Sequence, residues 1–474
     1  MAFFGREYEL KELNELYDSS QSNLAVIYGR RRVGKSKLIQ KFCDEKISLL
    51  FEGLENKTTK AQITHFHTTL LKQVQDRGLG DFKFTGWDGI FSYLTQWLAK
   101  QNGRKVIIFF DEFQWMSASR TSLVSLIKYY WDNEWKKYPL TLILCGSIAS
   151  FMLEKVIKSK ALYGRISLEL HVHGLNPYEA LKMFHNKRSQ EECLKYLMIF
   201  GGIPKYLEEI QLNRSFEQNM ERLCFRSNGL MTHEFERIFY NQFSEASLYL
   251  DIIQCIQFDI LSLEQIAKKV KLSSGGGLKR YLNHLQAADF IKIYTPLGRK
   301  LTTKVKRYQL SDEYLLFYFK YMQPNMKLIS ENSSLNLFEK LVLPQWNSWL
   351  GFAFEKFCLK NAFHLSKVMG FSDQVIGFGP YFERSDKGFQ IDLIFQRADH
   401  VYTICEIKYH HKAIGTSIIP EVEKKIELIK NSKELSISGI TLEKCLISLY
   451  GPDQSLRDSK YFHHTITLNE LFAK

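Results

Sequence analysis

The sequence predicts an α/β fold class: a parallel sheet interleaved with helices over the first third, then helical segments, then a second α/β unit. Three observations predict it. Short, mostly apolar runs at 24–28, 47–51, 106–110, 142–145 and 166–170 alternate with longer helical patterns such as 87–100 and 123–131. Strands of this kind are buried on both faces, as in a parallel α/β sheet. Between the first run and the helical pattern after it lies Gly29-Arg30-Arg31-Arg32-Val33-Gly34-Lys35-Ser36. Near the other end, strand-like runs at 375–379, 389–396 and 401–408 precede a helical pattern at 421–429 and runs at 445–450 and 465–468.

Size and composition bound the rest. A chain of 474 residues is long enough for about three domains, at roughly 150 residues each. The net charge of +13 favours a polyanionic partner, nucleic acid first, although a soluble basic surface would carry the same surplus. No apolar run approaches the ~20 residues of a membrane span, so no membrane partner is expected. The N-terminus, MAFFGREYELKEL, lacks the basic and apolar regions of a secretory signal. The eight cysteines are scattered singly, with no C-x-x-C pair. That fits core thiols in a reducing, cytoplasmic setting and speaks against disulfide or zinc frameworks.

Residues 1–175 carry the first candidate site. Residues 29–36 form a complete G-x-x-x-x-G-K-S. Glycines let backbone N–H groups close around phosphate oxygens at a helix N-terminus. Gly29, Gly34 and the helix start at Lys35, Ser36 and Lys37 are therefore expected to cradle the phosphates of ATP. Lys35 would reach the β- and γ-phosphates, and the Ser36 hydroxyl would ligate Mg2+. Arg30, Arg31 and Arg32 are read as packing, pairing with carboxylates or touching nucleotide, with Arg32 assigned to the nucleotide. The run at 106–110 ends in Asp111-Glu112. At the carboxyl edge of a parallel sheet, Asp111 would hold Mg2+ and Glu112 would polarise the attacking water. The run at 142–145 ends in Gly146-Ser147. If that strand lies between the other two, Ser147 could orient the water or touch the γ-phosphate; otherwise it is an ordinary strand-end serine. Arg165, in Tyr163-Gly164-Arg165, is a candidate arginine finger in cis or in trans, or a surface residue capping a turn. A trans role requires a homo-oligomer.

Several motifs stand in order here: Phe4-Gly5-Arg6-Glu7 with Glu9-Leu10, GRRRVGKS, FFDEFQ, LCGS, LYGR and GGIPKYL. Together they resemble the archaeal-type ATPase family, a group of AAA+-related, signal-transducing P-loop ATPases, over roughly residues 1–240. The resemblance implies an ATP-hydrolysing P-loop NTPase sheet with a helical lid. It also implies that Gly5 and Arg6 lie near the adenine and that 201–204 falls in the lid.

Residues 176–245 read as helical, starting at Asn176-Pro177, a cap followed by a first-turn proline. Residues 246–312 read as a winged helix-turn-helix. A helix opens at SLEQIA, the turn KLSSGGG follows, and a second helix at 278–288 carries Lys279, Arg280, Asn283 and His284, all expected to be exposed. Strand 290–294, the loop PLGRK and strand 307–310 complete it. DNA readers place base contacts on the second helix, though such units also serve protein packing. Residues 313–345 form a helical connector whose aromatic stretch YLLFYFKY is read as a buried helix rather than a base-stacking platform.

In residues 346–474, Asp392 and the Glu406-x-Lys408 pair sit on adjacent strand candidates, with Glu355 on the preceding helix. Period-2 alternation puts Glu406 and Lys408 on one face. Charges in apolar strand ends are unfavourable unless paired or metal-bound. Three hard carboxylates suit Mg2+, and a lysine beside them suits phosphate charge and water activation. The pattern resembles the PD-(D/E)XK nuclease fold over about residues 346–455, with Ile391 where a proline is usual. By that resemblance Glu355, Asp392 and Glu406 are metal ligands and Lys408 is catalytic. The other reading is a Glu406–Lys408 salt bridge in a non-catalytic domain. His171 and His173, His410-His411 and His463-His464 lack helix-spaced or Cys-paired zinc patterns and are read as solvated or packing residues.

The complete expectation is a P-loop NTPase sheet with a helical lid, a winged helix-turn-helix and a C-terminal α/β restriction-endonuclease-like domain. ATP and Mg2+ are the cofactors and nucleic acid, DNA before RNA, is the partner. The leading function is ATP-controlled, Mg2+-dependent cleavage of nucleic acid. The alternative is a nucleotide-dependent signalling switch or DNA-binding regulator with a non-catalytic last domain. A translocating helicase ranks lowest, for want of a second motor domain.

Overall fold

Apolar, β-rich runs find their hydrogen-bond partners in one another, and the structure, a computed structural model, shows which pair with which. It describes residues 3–74, 79–80, 83–117, 122–243, 245–295, 306–331, 336–383, 389–431 and 439–474. The chain divides into two compact units: residues 1–174 with 287–289, and residues 175–286 with 290–474.

The first unit is built on five strands: β1 (Asn23–Tyr28), β2 (Ser48–Glu52), β3 (Val106–Asp111), β4 (Leu140–Gly146) and β5 (Leu168–His171). All pair in parallel, in the order β2-β3-β4-β1-β5. Every residue of β3 and β4 is buried, as two-sided coverage by helices requires. On one face Phe51, Phe66, Phe91, Phe110 and Trp135 join the core under the helices Thr59–Gln73, Trp87–Ala99 and Ser122–Asn133. Each such side chain contributes about 1.5–3 kcal/mol on burial. Because the strands are parallel, Tyr28, Glu52, Asp111 and Gly146 all end at one edge. β4 lies between β1 and β3, the arrangement on which the expectation for Ser147 depends.

The second unit opens with the helix Pro177–Lys182, whose Asn176 cap and Glu179 form a reciprocal capping box. The aromatic stretch is a buried helix, Glu313–Phe317, continuing through a π-helical turn, Tyr318–Met322. Between them lie β6 (Ile260–Ser262), the helices Leu263–Lys269 and Gly276–Ala287, β7 (Ile291–Tyr294) and β8 (Arg307–Leu310). The three strands form an antiparallel sheet in the order β6-β8-β7. The PLGRK loop lies outside the described residues. Lys279, Arg280 and Asn283 are exposed, as expected. His284 is not: it is 8 % exposed, and its Nδ1 lies 2.5 Å from the Tyr249 hydroxyl. The helix Ala246–Ile256 supplies Tyr249 and covers that side, so His284 belongs to the packing.

The last part begins with the helix Trp346–Lys360 and continues through β9 (Val375–Glu383), β10 (Phe389–Arg397), β11 (Val401–Lys408), the helix Ile419–Lys430, β12 (Thr441–Ser448) and β13 (His464–Ile466). The sheet order is β13-β12-β11-β10-β9. β9, β10 and β11 form an antiparallel meander. β12 joins β11 in parallel, which requires a crossover, here through the helix Ile419–Lys430. Among the described residues no helix is long and apolar enough to cross a membrane.

Candidate functional site

The motif at the end of β1 is held open by backbone geometry. Gly29 has φ +148°, and a Cβ there would lie 2.3 Å from the Val172 carbonyl oxygen, so only glycine fits. Val172 N in turn donates to Tyr28 O at 2.8 Å. The loop then enters the helix Lys35–Cys43, whose first N–H groups have no intrahelical acceptor and face the loop. Lys35 is 5 % exposed; its ammonium donates to Gly29 O at 2.8 Å and to Arg30 O at 2.9 Å. Burial pushes its pKa below the ordinary lysine range, while Cys145, Glu112 and Asp111 pull the other way. Arg31 lies 3.6 Å from Glu55 on the surface. Arg32 takes a left-handed backbone, φ 74°, and Lys37 is exposed on the first helical turn.

Opposite the loop stand the carboxylates of β3. Ser36 hydrogen-bonds to Asp111; burial raises the Asp111 pKa and the serine bond opposes it. Glu112 follows in a left-handed conformation, φ 47°, which turns its side chain toward the end of β4. There Ser147 Oγ donates to Glu112 Oε2 at 2.6 Å. Gln114 Nε2 donates to the same carboxylate oxygen and, at 3.3 Å, to Ser147 Oγ. A Cβ on Gly146 would sit 2.6 Å from Gln114 Oε1, so the glycine of LCGS makes room for this network. Gln114 was assigned no role from the sequence, although it closes the FFDEFQ motif. Glu52, at the end of β2, is a second omission. Burial raises its pKa, and Asp111 and Glu112 raise it further. It therefore stands in the same electrostatic field.

Two of the expected residues are held in networks of their own. Arg6, after Gly5 (φ 66°), is 3 % exposed. Its guanidinium donates to Val33 O and His173 O, both at 2.7 Å, and to Glu9 at 2.8 Å. It braces the phosphate loop from behind. Arg165 makes a two-pronged pair with Asp132, both bonds at 2.8 Å. That pair, led by the arginine bonds, holds Asp132 down to about 2. Arg165 precedes β5, where Ser167 N donates to Leu24 O at 2.8 Å. This is the amino edge of the sheet, about 20 Å of strand from the phosphate loop. An arginine finger in cis is therefore ruled out by distance.

In the last sheet the β10–β11 ladder ends at the pair Leu393 and Cys405; Asp392 and Glu406 are the next residue of each strand, and the Glu406 charge acts on Asp392. The β9–β10 ladder shifts between Ile391 and Ile394, a bulge at Asp392 of the kind that re-aims a side chain. Glu406 is 2 % exposed. Lys425 holds its two oxygens at 2.8 and 2.7 Å, and Lys408 approaches at 2.9 Å. Lys408 also donates to Glu421 at 2.9 Å. Burial works against its charge, but Glu406 and Glu421 overcome that and hold it above the ordinary lysine range. A cavity of about 410 Å³ is lined by Glu355, Lys356, Gln390 and Asp392. Burial, then Asp392, pushes Glu355 up to about 7. Burial pushes Lys356 down to about 8. Asp392 is raised by burial and by Glu406. Among the described residues, Glu355, Asp392 and Glu406 do not close into a three-ligand group within 4.8 Å. Lys425 was not singled out from the sequence, being 19 residues from Glu406.

A parallel sheet with a glycine loop and paired carboxylates at its carboxyl edge defines an ATP-binding protein of the P-loop ATPase class. Residues 3–210 match the family described as an ATPase domain predominantly from Archaea. Residues 318–419 match one described as archaeal and bacterial proteins of unknown function. An uncharacterized protein of Methanocaldococcus jannaschii is 30% identical over 394 residues, 83% of this chain and 84% of that one. An uncharacterized ATP-binding protein of Pyrococcus horikoshii is 25% identical over 266 residues, 50% of this chain and 81% of that one. The chain belongs to the archaeal ATPase family. A solved Walker-type ATPase of Pyrococcus abyssi shares the fold, with a TM-score of 0.50 and 21% identity over 66% of this chain and 95% of that one.

Proposed function

We propose that this ATPase acts on nucleic acid and that its nucleotide state controls a Mg2+-dependent, PD-(D/E)XK nuclease-like domain at the C-terminal end. One observation carries the reading. Glu355 and Asp392 line one cavity, the Glu406 charge acts on Asp392, and Lys408 pairs with Glu406. Neighbouring carboxylates repel, and a divalent cation relieves the repulsion. Glu355, Asp392 and Glu406 would hold Mg2+, which when bound would supply charge for a phosphate oxygen. Lys408 would face the phosphodiester. Water oxygen would bond to phosphorus as the ester P–O bond breaks, and the departing oxygen would take up a proton.

At the other site, Ser36 and Asp111 would hold Mg2+ for ATP, and Glu112, aligned by Ser147 and Gln114, would orient the water. The surplus charge and the exposed Lys279, Arg280 and Asn283 on the second helix of a winged helix-turn-helix support a nucleic-acid partner, DNA before RNA. Arg165 would serve only a neighbouring copy, after release from Asp132. Cleavage assays of wild type and Asp392→Ala, with and without ATP and Mg2+, test the proposal. Metal-dependent cleavage that survives Asp392→Ala would overturn it.

A second reading has its own support. Lys408 and Lys425 already neutralise Glu406, and the three carboxylates stand apart. On that reading the chain is a nucleotide-dependent switch or DNA-binding regulator whose last domain binds without cutting. Wild type that binds DNA in an ATP-dependent way and never cleaves it would select this reading.

A further inference from the structure

β5 ends at His171, and the chain runs on extended past Val172 to His173, so the two imidazoles share a face. Backbone bonds fix this segment: Val172 N to Tyr28 O at 2.8 Å, and Arg6 to His173 O at 2.7 Å. The two rings lie 3.9 Å apart, and Tyr28 stacks on His171 at 4.6 Å. Facing them is Asp289, in a left-handed turn with φ 61°. It belongs to the short segment 287–289 that packs in the same compact unit. Asp289 Oδ2 lies 2.9 Å from His173 Nδ1 and 3.7 Å from His171 Nε2.

We propose that His171, His173 and Asp289 form a binding site for a divalent transition-metal ion of the Zn2+ type, at the carboxyl end of β5. Each offers one ligand atom, and those atoms all lie within 4.8 Å of one another. Tetrahedral Zn2+ with bonds of ~2.0–2.1 Å separates its ligands by about 3.3 Å, a spacing that the two observed separations bracket. A second observation points to a cation rather than a simple His–Asp pair. His171 Nε2 is buried without a hydrogen-bond partner while it faces the carboxylate. A buried nitrogen lone pair aimed at a carboxylate is satisfied by a shared cation. Two imidazoles and one carboxylate select a borderline transition metal over oxygen-seeking Mg2+ or Ca2+. Three protein ligands leave a fourth position open to solvent.

The test uses the full chain, stripped with a chelator and kept in excess Mg2+ to fill oxygen-only sites. Zn2+ is titrated against a chromogenic chelator, and Co2+ uptake is followed by its d–d absorption. Wild type takes up one equivalent, and Zn2+ raises its melting temperature. His173→Ala and Asp289→Ala each lower the Zn2+ affinity by about 10–100-fold or more and lose the Co2+ band. His410→Ala, outside the cluster, changes neither. His173 is a 59% exposed side chain, so its variant keeps the fold and circular dichroism will show it. No Zn2+ uptake by wild type, or equal uptake by all three variants, would overturn the site and leave a plain ion pair.

Discussion

The nucleotide site and the carboxylate site of the last sheet are both gathered on strands, yet they are built from different materials. The first is mostly backbone: Gly29 and Gly34, a helix N-terminus, and Arg6 and Val172 bracing the loop. The second is all side chain: Glu355, Asp392, Glu406, Lys408 and Lys425, drawn from two helices and two strands. A backbone cradle is preformed, because its donors are fixed by φ and ψ. A side-chain cluster must balance its own charges, and here two lysines hold the most buried carboxylate. Binding at the first site is therefore set by the backbone, whereas the second depends on what its charges meet.

That contrast can be broken at several points. Glu112→Gln keeps the cradle and removes the base. ATP hydrolysis should fall by about 10²–10⁴-fold with nucleotide binding retained, measured by phosphate release beside a binding assay. Unchanged hydrolysis would move the base elsewhere. In the second site, Lys425→Met leaves Glu406 with Lys408 alone. Removing one partner of a buried pair should lower stability by about 3 kcal/mol in denaturant unfolding. A neutral result would mean that the lysines are dispensable. Gly29→Ala forces a Cβ against Val172 and strains a left-handed backbone. It should lower stability by about 2 kcal/mol and weaken nucleotide binding.

The smallest effect concerns pH. Burial raises Glu355 from 4.5 to about 7. Between those values the folded chain keeps a proton that the unfolded chain has lost. The contribution is full below about pH 4.5 and is lost as pH rises through about 7. In chelator, Glu355→Gln should flatten the stability profile in that window, by roughly 1–2 kcal/mol after solvent screening. A wild-type slope unchanged by the substitution would refute the assignment.

The parallel sheet and its phosphate loop were legible because their information is local: apolar runs, then eight contiguous residues. The placement of Asp111-Glu112 and Ser147 at the ends of β3 and β4 was legible for the same reason. What escaped was tertiary. Gln114 matters through bonds to Glu112 and Ser147 that exist only once β3 and β4 lie side by side. Lys425 reaches Glu406 across a crossover. His284 read as exposed because helical periodicity alone cannot foresee Tyr249. Asp289 meets His173 from 116 residues further along the chain, so no local spacing in the sequence signals that contact.

Cleavage of DNA by the full chain in Mg2+ and ATP, compared among wild type, Lys35→Ala and Asp392→Ala, tests the central claim most directly. Lys35→Ala should lose hydrolysis by about 10²–10³-fold together with ATP control of cleavage, whereas Asp392→Ala should lose cleavage and hydrolyse ATP normally. Cleavage that persists in Asp392→Ala, or that ignores the loss of Lys35, would contradict that claim.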